Sequence, residues 1–235
     1  HSDGYRIPAA KIDSVSFGIF ADLSDEAIPL KLGGIEPRYR IWGLYSLQDD
    51  PKSVLARMAI TCGANIYQTA EGKVGILGGQ YSEPDLTITD DDIYSLEKVE
   101  GDSALNGFNV LKGTYTSATH DYQDVEAEAW ENTSALATQP EKSEEMEADM
   151  IPSHGQMRRM MKLQLHSRNR KWTGRIVTNL VGIKARFPKG DGVHTIRVQY
   201  AELGMDEVVE VLGHALTAEK ADNGVIIWKC SIDIA

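Results

Sequence analysis

The chain has 235 residues, 42% of them hydrophobic and 25% charged, enough to bury a sizeable core in one or two domains. Its formal net charge of −11 argues against a nucleic-acid binder, which needs a basic footprint. No apolar run approaches the roughly 20 residues required to cross a bilayer, so no membrane span is expected. The opening residues, HSDGYRIPAAK, form no signal peptide and include no initiator Met. A fragment of a longer protein, with a cleavage scar at His1-Ser2, is expected.

In chain order, KIDSVSFGIFAD (11–22) carries Val15 and Ile19, with Leu23 beyond, near helical spacing, and reads as a short helix. RYRIWGLYSLQ (38–48) alternates like a strand, with both faces partly apolar, which implies that both are covered. Asp50 is placed to cap the next helix, Pro51 to occupy its first position and Gly63 to end it. Its apolar stripe is Val54, Met58 and Cys62, with Leu55 and Ala59 alongside. ANIYQ and KVGIL flank TAEG as a hairpin. The connector after it holds Asp90, Asp91 and Asp92, whose spacing is wrong for a calcium loop and fits a turn or helix cap. A strand is expected to end that connector.

The second half is strand-rich. NGFNVLKGTYTS is a strand, THDYQ a turn, and DVEAEAWEN a half-buried strand with an acidic outer face. TSALATQPEKSE reads as an exposed loop and EMEADMI as a short strand. Ser153 and Gln156 form a capping-box pattern for a helix over about 154–167. Its stripe is Met157, Met161 and Leu165, flanked by Met160, against a face of Arg158, Arg159, Lys162 and His166. Strands follow at WTGRIVTN, within KARFPKGDG, at 196–200 and over 207–216. ADNGV is a hairpin turn before a last strand in which Trp228, Cys230, Ile232 and Ile234 share one face.

Charge is segregated. The span 121–149 holds Asp121, Asp124, Glu126, Glu128, Glu131, Glu141, Glu144, Glu145, Glu147 and Asp149 against Lys142 alone. The span 158–175 holds Arg158, Arg159, Lys162, Arg168, Arg170, Lys171 and Arg175 with no acid. Solvated faces are one reading. Acidic and basic patches meeting across subunits are the other, with Glu126, Glu128, Glu145, Glu147, Arg158, Arg159, Lys162 and Arg170 as the candidate interface.

Catalytic signatures are lacking. The six histidines form no HExxH or comparable cluster, and His120-Asp121 has no nucleophile in an elbow context. No glycine pattern completes a phosphate loop. Cys62 and Cys230 belong to no CxxC pair and are expected to be buried free thiols. No cofactor or metal is implied, and the chain is not expected to be an enzyme.

In series, these segments resemble the hub or tip proteins of long-tailed bacteriophages and gene-transfer agents. RYRIWGLYSLQDDPKSVLARMAITCGANIYQTAEGKVGILGG, DLTITDDDI, FNVLKGTYTSATHDYQDVEAEAW and QMRRMMKLQLHSRNR carry the likeness, which spans most of residues 11–187. The resemblance implies an α+β, β-rich fold. A small α+β unit (1–98) would precede a ring-forming, tube-like domain (99–235), a curved antiparallel sheet or open β-barrel with one packed helix. It further implies a non-catalytic structural role in a ring at the distal end of a tail tube, commonly trimeric. Tube, distal-tail, tape-measure and fibre proteins would be its partners. The expected setting is a virion tail, with synthesis in the bacterial cytoplasm. The alternative is a carbohydrate- or cell-surface-binding β module, which needs an exposed aromatic platform from Trp42, Trp130, Trp172 or Trp228.

Overall fold

A computed structural model describes residues 7–31, 33–69, 71–78, 83–100, 107–170, 172–185, 194–220 and 224–235. The chain resolves into two compact units, each discontinuous in sequence and each with its own apolar core.

The first unit opens with α1 (Ser14–Asp25), whose N-cap Asp13 accepts a hydrogen bond from Val15 N. A small antiparallel pair follows, β1 (Ala27–Pro29) and β2 (Ile35–Pro37). Helix α2 (Pro51–Cys62) is punctuated as its sequence requires: Asp50 accepts from Ser53 N, Pro51 starts it, and Gly63 closes it in the left-handed conformation. The expected hairpin is β3 (Asn65–Gln68) with β4 (Val74–Leu77).

The chain passes to the second unit through β5 (Thr87–Ile88) and β6 (Ile93–Glu100). Between them Thr89 and Asp92 form a reciprocal cap around a 3-10 turn at Asp90–Asp92, as the acidic triplet suggested. The expected domain boundary at 98/99 lies within β6.

Returning to the first unit, β7 (Val110–Ser117), β8 (Gln123–Glu131) and β9 (Ser143–Glu147) form a three-stranded sheet. Its order is β8-β7-β9, antiparallel on one side and parallel on the other. The segment expected to be a plain loop contains one helical turn, α3 (Thr133–Leu136), capped by Asn132. Asn109 holds the exposed stretch after it through Pro140 O and Lys142 N.

Helix α4 (His154–Arg168) lies across β7 and β8 and buries Met157, Met160, Met161 and Leu165. The sheet admits the helix closely at Gly113, where an added Cβ would sit 2.1 Å from Met157 Cε. The capping box is only half formed. Ser153 accepts from Gln156 N, but the Gln156 side chain turns away into the core.

The second unit is a curled, six-stranded half-barrel. Its remaining strands are β10 (Trp172–Thr178), β11 (Thr195–Tyr200), β12 (Met205–Lys220) and β13 (Ile226–Ile234). The order is β5-β11-β12-β13-β10-β6, antiparallel except for β5 on β11. β12 is long enough to serve two neighbours in turn. It pairs with β11 from Met205 to Glu210, shifts register between Val211 and Gly213, and then pairs with β13 out to Lys220. The architecture is therefore α+β and β-rich, with a curved, mostly antiparallel sheet.

Two local expectations are corrected. In α1, Val15 and Ile19 are exposed and Ser16 is buried, because Ser16 Oγ donates to Asp13 O and accepts from Ile76 N while Phe20 stacks on Tyr39. Residues 38–48 form no strand, having no adjacent strand edge among the described residues. Of KARFPKGDG (184–192), Lys184 ends a 3-10 turn over Leu180–Lys184 and Ala185 caps it, and the strand expected there, from 186 on, lies outside the described residues.

Candidate assembly surfaces

Alternation on β8 and β9 places Ala127 and Met146 toward α4 and sends their neighbours outward. The outward face carries Glu126 beside Thr114, which is also paired with Glu147, and Lys112 beside Glu145. Asp124 accepts a hydrogen bond from Thr116 Oγ1. Glu126, Glu128, Glu145 and Glu147 are all exposed. The sheet thus presents one acidic face with Lys112 as the base within it.

The basic candidates are placed differently. Arg158 lies over Trp130 at 4.6 Å and donates from Nη1 to Glu128 O and Ala129 O, with the Glu128 carboxylate 3.7 Å away. Lys162 lies 5.6 Å above the same ring. Arg159 donates to Glu36 at 2.7 Å and to Arg38 O at 2.7 Å, across an element boundary that sequence spacing could not have shown. Arg170 pairs with Glu210 in the half-barrel. These cations bind parts of their own unit, so the candidate set divides into an open acidic face and an internally engaged basic group.

Two apolar surfaces did not figure among the candidates. The first is the segment Ile41–Leu47, which runs into a turn at Ser46–Asp49 and in which Ile41, Trp42, Leu44, Tyr45 and Leu47 are all exposed, Leu44 to 92%. It is held from one side only. Gln156, 1% exposed, accepts from Arg40 N and donates to Arg40 O and Thr61 O, each at 2.9 Å. Trp42 N donates to Met150 O, and Gly43 runs so close that a Cβ there would lie 2.8 Å from Met150 Cγ. Trp42 stacks on Tyr122 with ring centroids 5.2 Å apart. Tyr122 and its predecessor Asp121 both have positive φ, 59° and 53°, a costly backbone for residues other than glycine.

The second surface is the far end of the β12–β13 hairpin, where Leu216, Val225, Ile226, Ile227 and Trp228 are exposed. The sequence did carry signals for both: apolar residues at both parities in 41–47, and the run VIIW at 225–228. Covered sheet interiors produce the same pattern, which is why both faces of 38–48 are expected to be covered.

Catalytic chemistry finds little footing. Ser117 Oγ lies 2.9 Å from His120 Nδ1, but Ser117 is 3% exposed and the contact locks the 3-10 turn between β7 and β8. Among the described residues, no group of three or more His, Cys, Asp or Glu side chains could hold a metal ion. Both cysteines are free and buried, and burial pushes the Cys62 thiol up to about 11. No helix among the described residues is long and apolar enough to cross a membrane.

No protein-family model and no curated protein matches the sequence. Solved structures do match. A chain of the native gene transfer agent virion superposes with a TM-score of 0.57 and 14% identity over 100% of this chain and 50% of its own. The tail protein from Neisseria meningitidis MC58 gives 0.51 and 16% identity over 73% of this chain and 50% of its own. The 43 kDa tail protein of prophage MuSo2 from Shewanella oneidensis gives 0.50 and 12% identity over 81% and 54%. The chain spans about half the length of these proteins. Its fold is that of phage and prophage tail proteins.

Proposed function

We propose that this chain is a structural component of a phage, prophage or gene-transfer-agent tail, assembling with copies of itself into a ring at the distal end of the tail tube. The observation that carries the reading is the match along the whole chain to a chain of a virion particle. Two features support it. The six-stranded half-barrel is an open sheet with β6 at one edge, and an open curved sheet is completed by association. Two runs of sequence neighbours, Ile41–Leu47 and Val225–Trp228, expose several large apolar side chains together, as at assembly interfaces. A trimer is the favoured state, with tube, distal-tail, tape-measure and fibre proteins as neighbours and the virion tail as the location. The protein would be made in the bacterial cytoplasm. The chain's role is architectural, without turnover.

Within that reading, the acidic face of Glu126, Glu128, Glu145 and Glu147 is the exposed half of a subunit or lumen contact, with Lys112 as its internal counter-charge. Arg158 and Lys162 contribute by holding α4 over Trp130 behind it, Arg159 by tying α4 to Glu36 and Arg38 O, and Arg170 by an ion pair within the second unit. Negative-stain electron microscopy of the concentrated protein tests the proposal. Closed rings of uniform diameter are expected; monodisperse single particles at every concentration would refute it.

The alternative, a carbohydrate-binding module, rests on the exposed Trp42–Tyr122 stack. Trp130 and Trp172 are covered by cations and only partly exposed. Quenching of tryptophan fluorescence by a bacterial surface glycan, lost in Trp42→Ala, would favour that alternative.

A further inference from the structure

We propose that residues 41–45 form an open strand edge that pairs antiparallel with the same edge of a second copy of this chain, about a twofold axis at Gly43. The contact goes beyond the tail reading. An isologous contact closes at two copies, so the ring stands or falls without it.

The backbone here is satisfied on one side only. Residues 39–46 contain no turn or bend, and along such a stretch successive backbone groups point to opposite edges. Arg40 bonds to the Gln156 amide through both its N–H and its C=O, and Trp42 N donates to Met150 O. These two even-numbered residues face their own unit. The backbone groups of Ile41, Gly43 and Tyr45 have no hydrogen-bond partner among the described residues, and every residue from 40 to 46 is exposed. Gln156, Met150 and the Trp42–Tyr122 stack hold the segment in place, so pairing would cost little ordering entropy.

The edge is complementary to itself. With Gly43 opposite Gly43, Ile41 lies opposite Tyr45 of the second copy and Trp42 opposite Leu44. Both are apolar pairs of the kind that stabilise antiparallel strands. Leu44, 92% exposed, gains the second copy's Trp42 ring as cover. Opposed residues share parity, so the open edges meet, and each odd-numbered residue exchanges both backbone bonds with the residue opposite.

The charges at the two ends select the antiparallel direction. Arg40 is exposed and has no ion-pair partner among the described residues. At the other end, Ser46 N donates to Asp49 Oδ2 at 2.9 Å, which fixes that carboxylate beside Ser46. Arg57, whose charge Asp49 also feels, is already paired with Asp149. The antiparallel register sets Arg40 opposite the second copy's Ser46, and so near its Asp49, at both ends of the contact. Parallel pairing would instead set Arg40 beside Arg40.

Residue-resolved hydrogen exchange at rising protein concentration tests the pairing. The amides of Ile41, Gly43 and Tyr45 should slow at least ~10-fold between dilute and concentrated protein. Trp42, bonded to Met150, should exchange at one rate throughout. Leu44→Asp should weaken association at least ~10-fold by placing a charge in an apolar pair. Arg40→Glu should weaken it at least ~5-fold by reversing the charge at both ends. Both positions are exposed, so the fold is kept. A short bismaleimide should link two copies of Leu44→Cys, whose Cβ atoms would lie roughly 7–8 Å apart on the diagonal. The native Cys62 and Cys230 are buried and do not compete.

Protection of the three amides at every concentration would show the edge covered by its own chain and overturn the proposal. Concentration-dependent protection without a Leu44→Cys cross-link would put a different segment of the second copy on the edge, and so overturn the twofold pairing. Unprotected amides at every concentration would refute the contact and leave the tail-assembly reading to the light-scattering mass.

Discussion

Gln156 offers the sharpest test of how the first unit is held together. Its amide, 1% exposed, joins three elements: it accepts from Arg40 N, donates to Arg40 O, and donates to Thr61 O at the end of α2. Gln156→Leu keeps the volume nearly constant and deletes all three bonds. Each ordinary hydrogen bond contributes about 1 kcal/mol net, and a buried group left unpaired costs about 1–3 kcal/mol. Arg40 is exposed, so water can replace its two bonds in part. Thr61 is fully buried, and its carbonyl has no such recourse. The expected loss is therefore about 2–4 kcal/mol for the first unit. The effect is local: hydrogen exchange resolved by peptide should accelerate at 38–42 and at the end of α2, and stay unchanged in β12 and β13. Urea unfolding followed by the same readout gives the magnitude. A loss under about 0.5 kcal/mol, or uniform acceleration in both units, would show that the bonds do not anchor the 38–42 segment.

Further outcomes follow from the same packing. Met161 is fully buried against β7, and Met161→Ala should cost about 2–5 kcal/mol in chemical denaturation, an unchanged midpoint counting against the assigned core. Arg158→Ala removes the cation over Trp130 and the donor to Glu128 O and Ala129 O, so a loss of about 1–3 kcal/mol with a red-shifted Trp130 emission is expected. Cys62 is raised from 9.0 to about 11 by burial, so its unfolded form ionises first as pH rises. The stability linked to it is whole below pH 9 and falls away toward pH 11, by about 2–3 kcal/mol relative to Cys62→Ala across that window. Parallel stability curves for the two proteins over that range would contradict the burial argument.

Elements with local punctuation were legible in the sequence. Asp50, Pro51 and Gly63 define α2, Ser153 starts α4, and the Met157–Met161–Leu165 stripe names the face that α4 buries. These signals work because capping and helical periodicity act over a few residues. What depends on distant partners was not legible. Ser16 is buried because Ile76 and Asp13 satisfy its hydroxyl, and Arg159 is engaged because the fold brings Glu36 beside it. The charge segregation was visible, but spacing could not show that Arg158 folds over Trp130 and so stabilises its own sheet. The segment at 41–47 misled for an informative reason. Its apolar pattern requires cover on both faces, and the single chain supplies cover on one.

The most direct test of self-assembly is the solution mass of this chain by light scattering, across a wide concentration range and at low and high salt. The account predicts a discrete oligomer, a trimer in the favoured case, loosening as salt screens the charges at its interfaces. A strict monomer at every concentration and salt would contradict it.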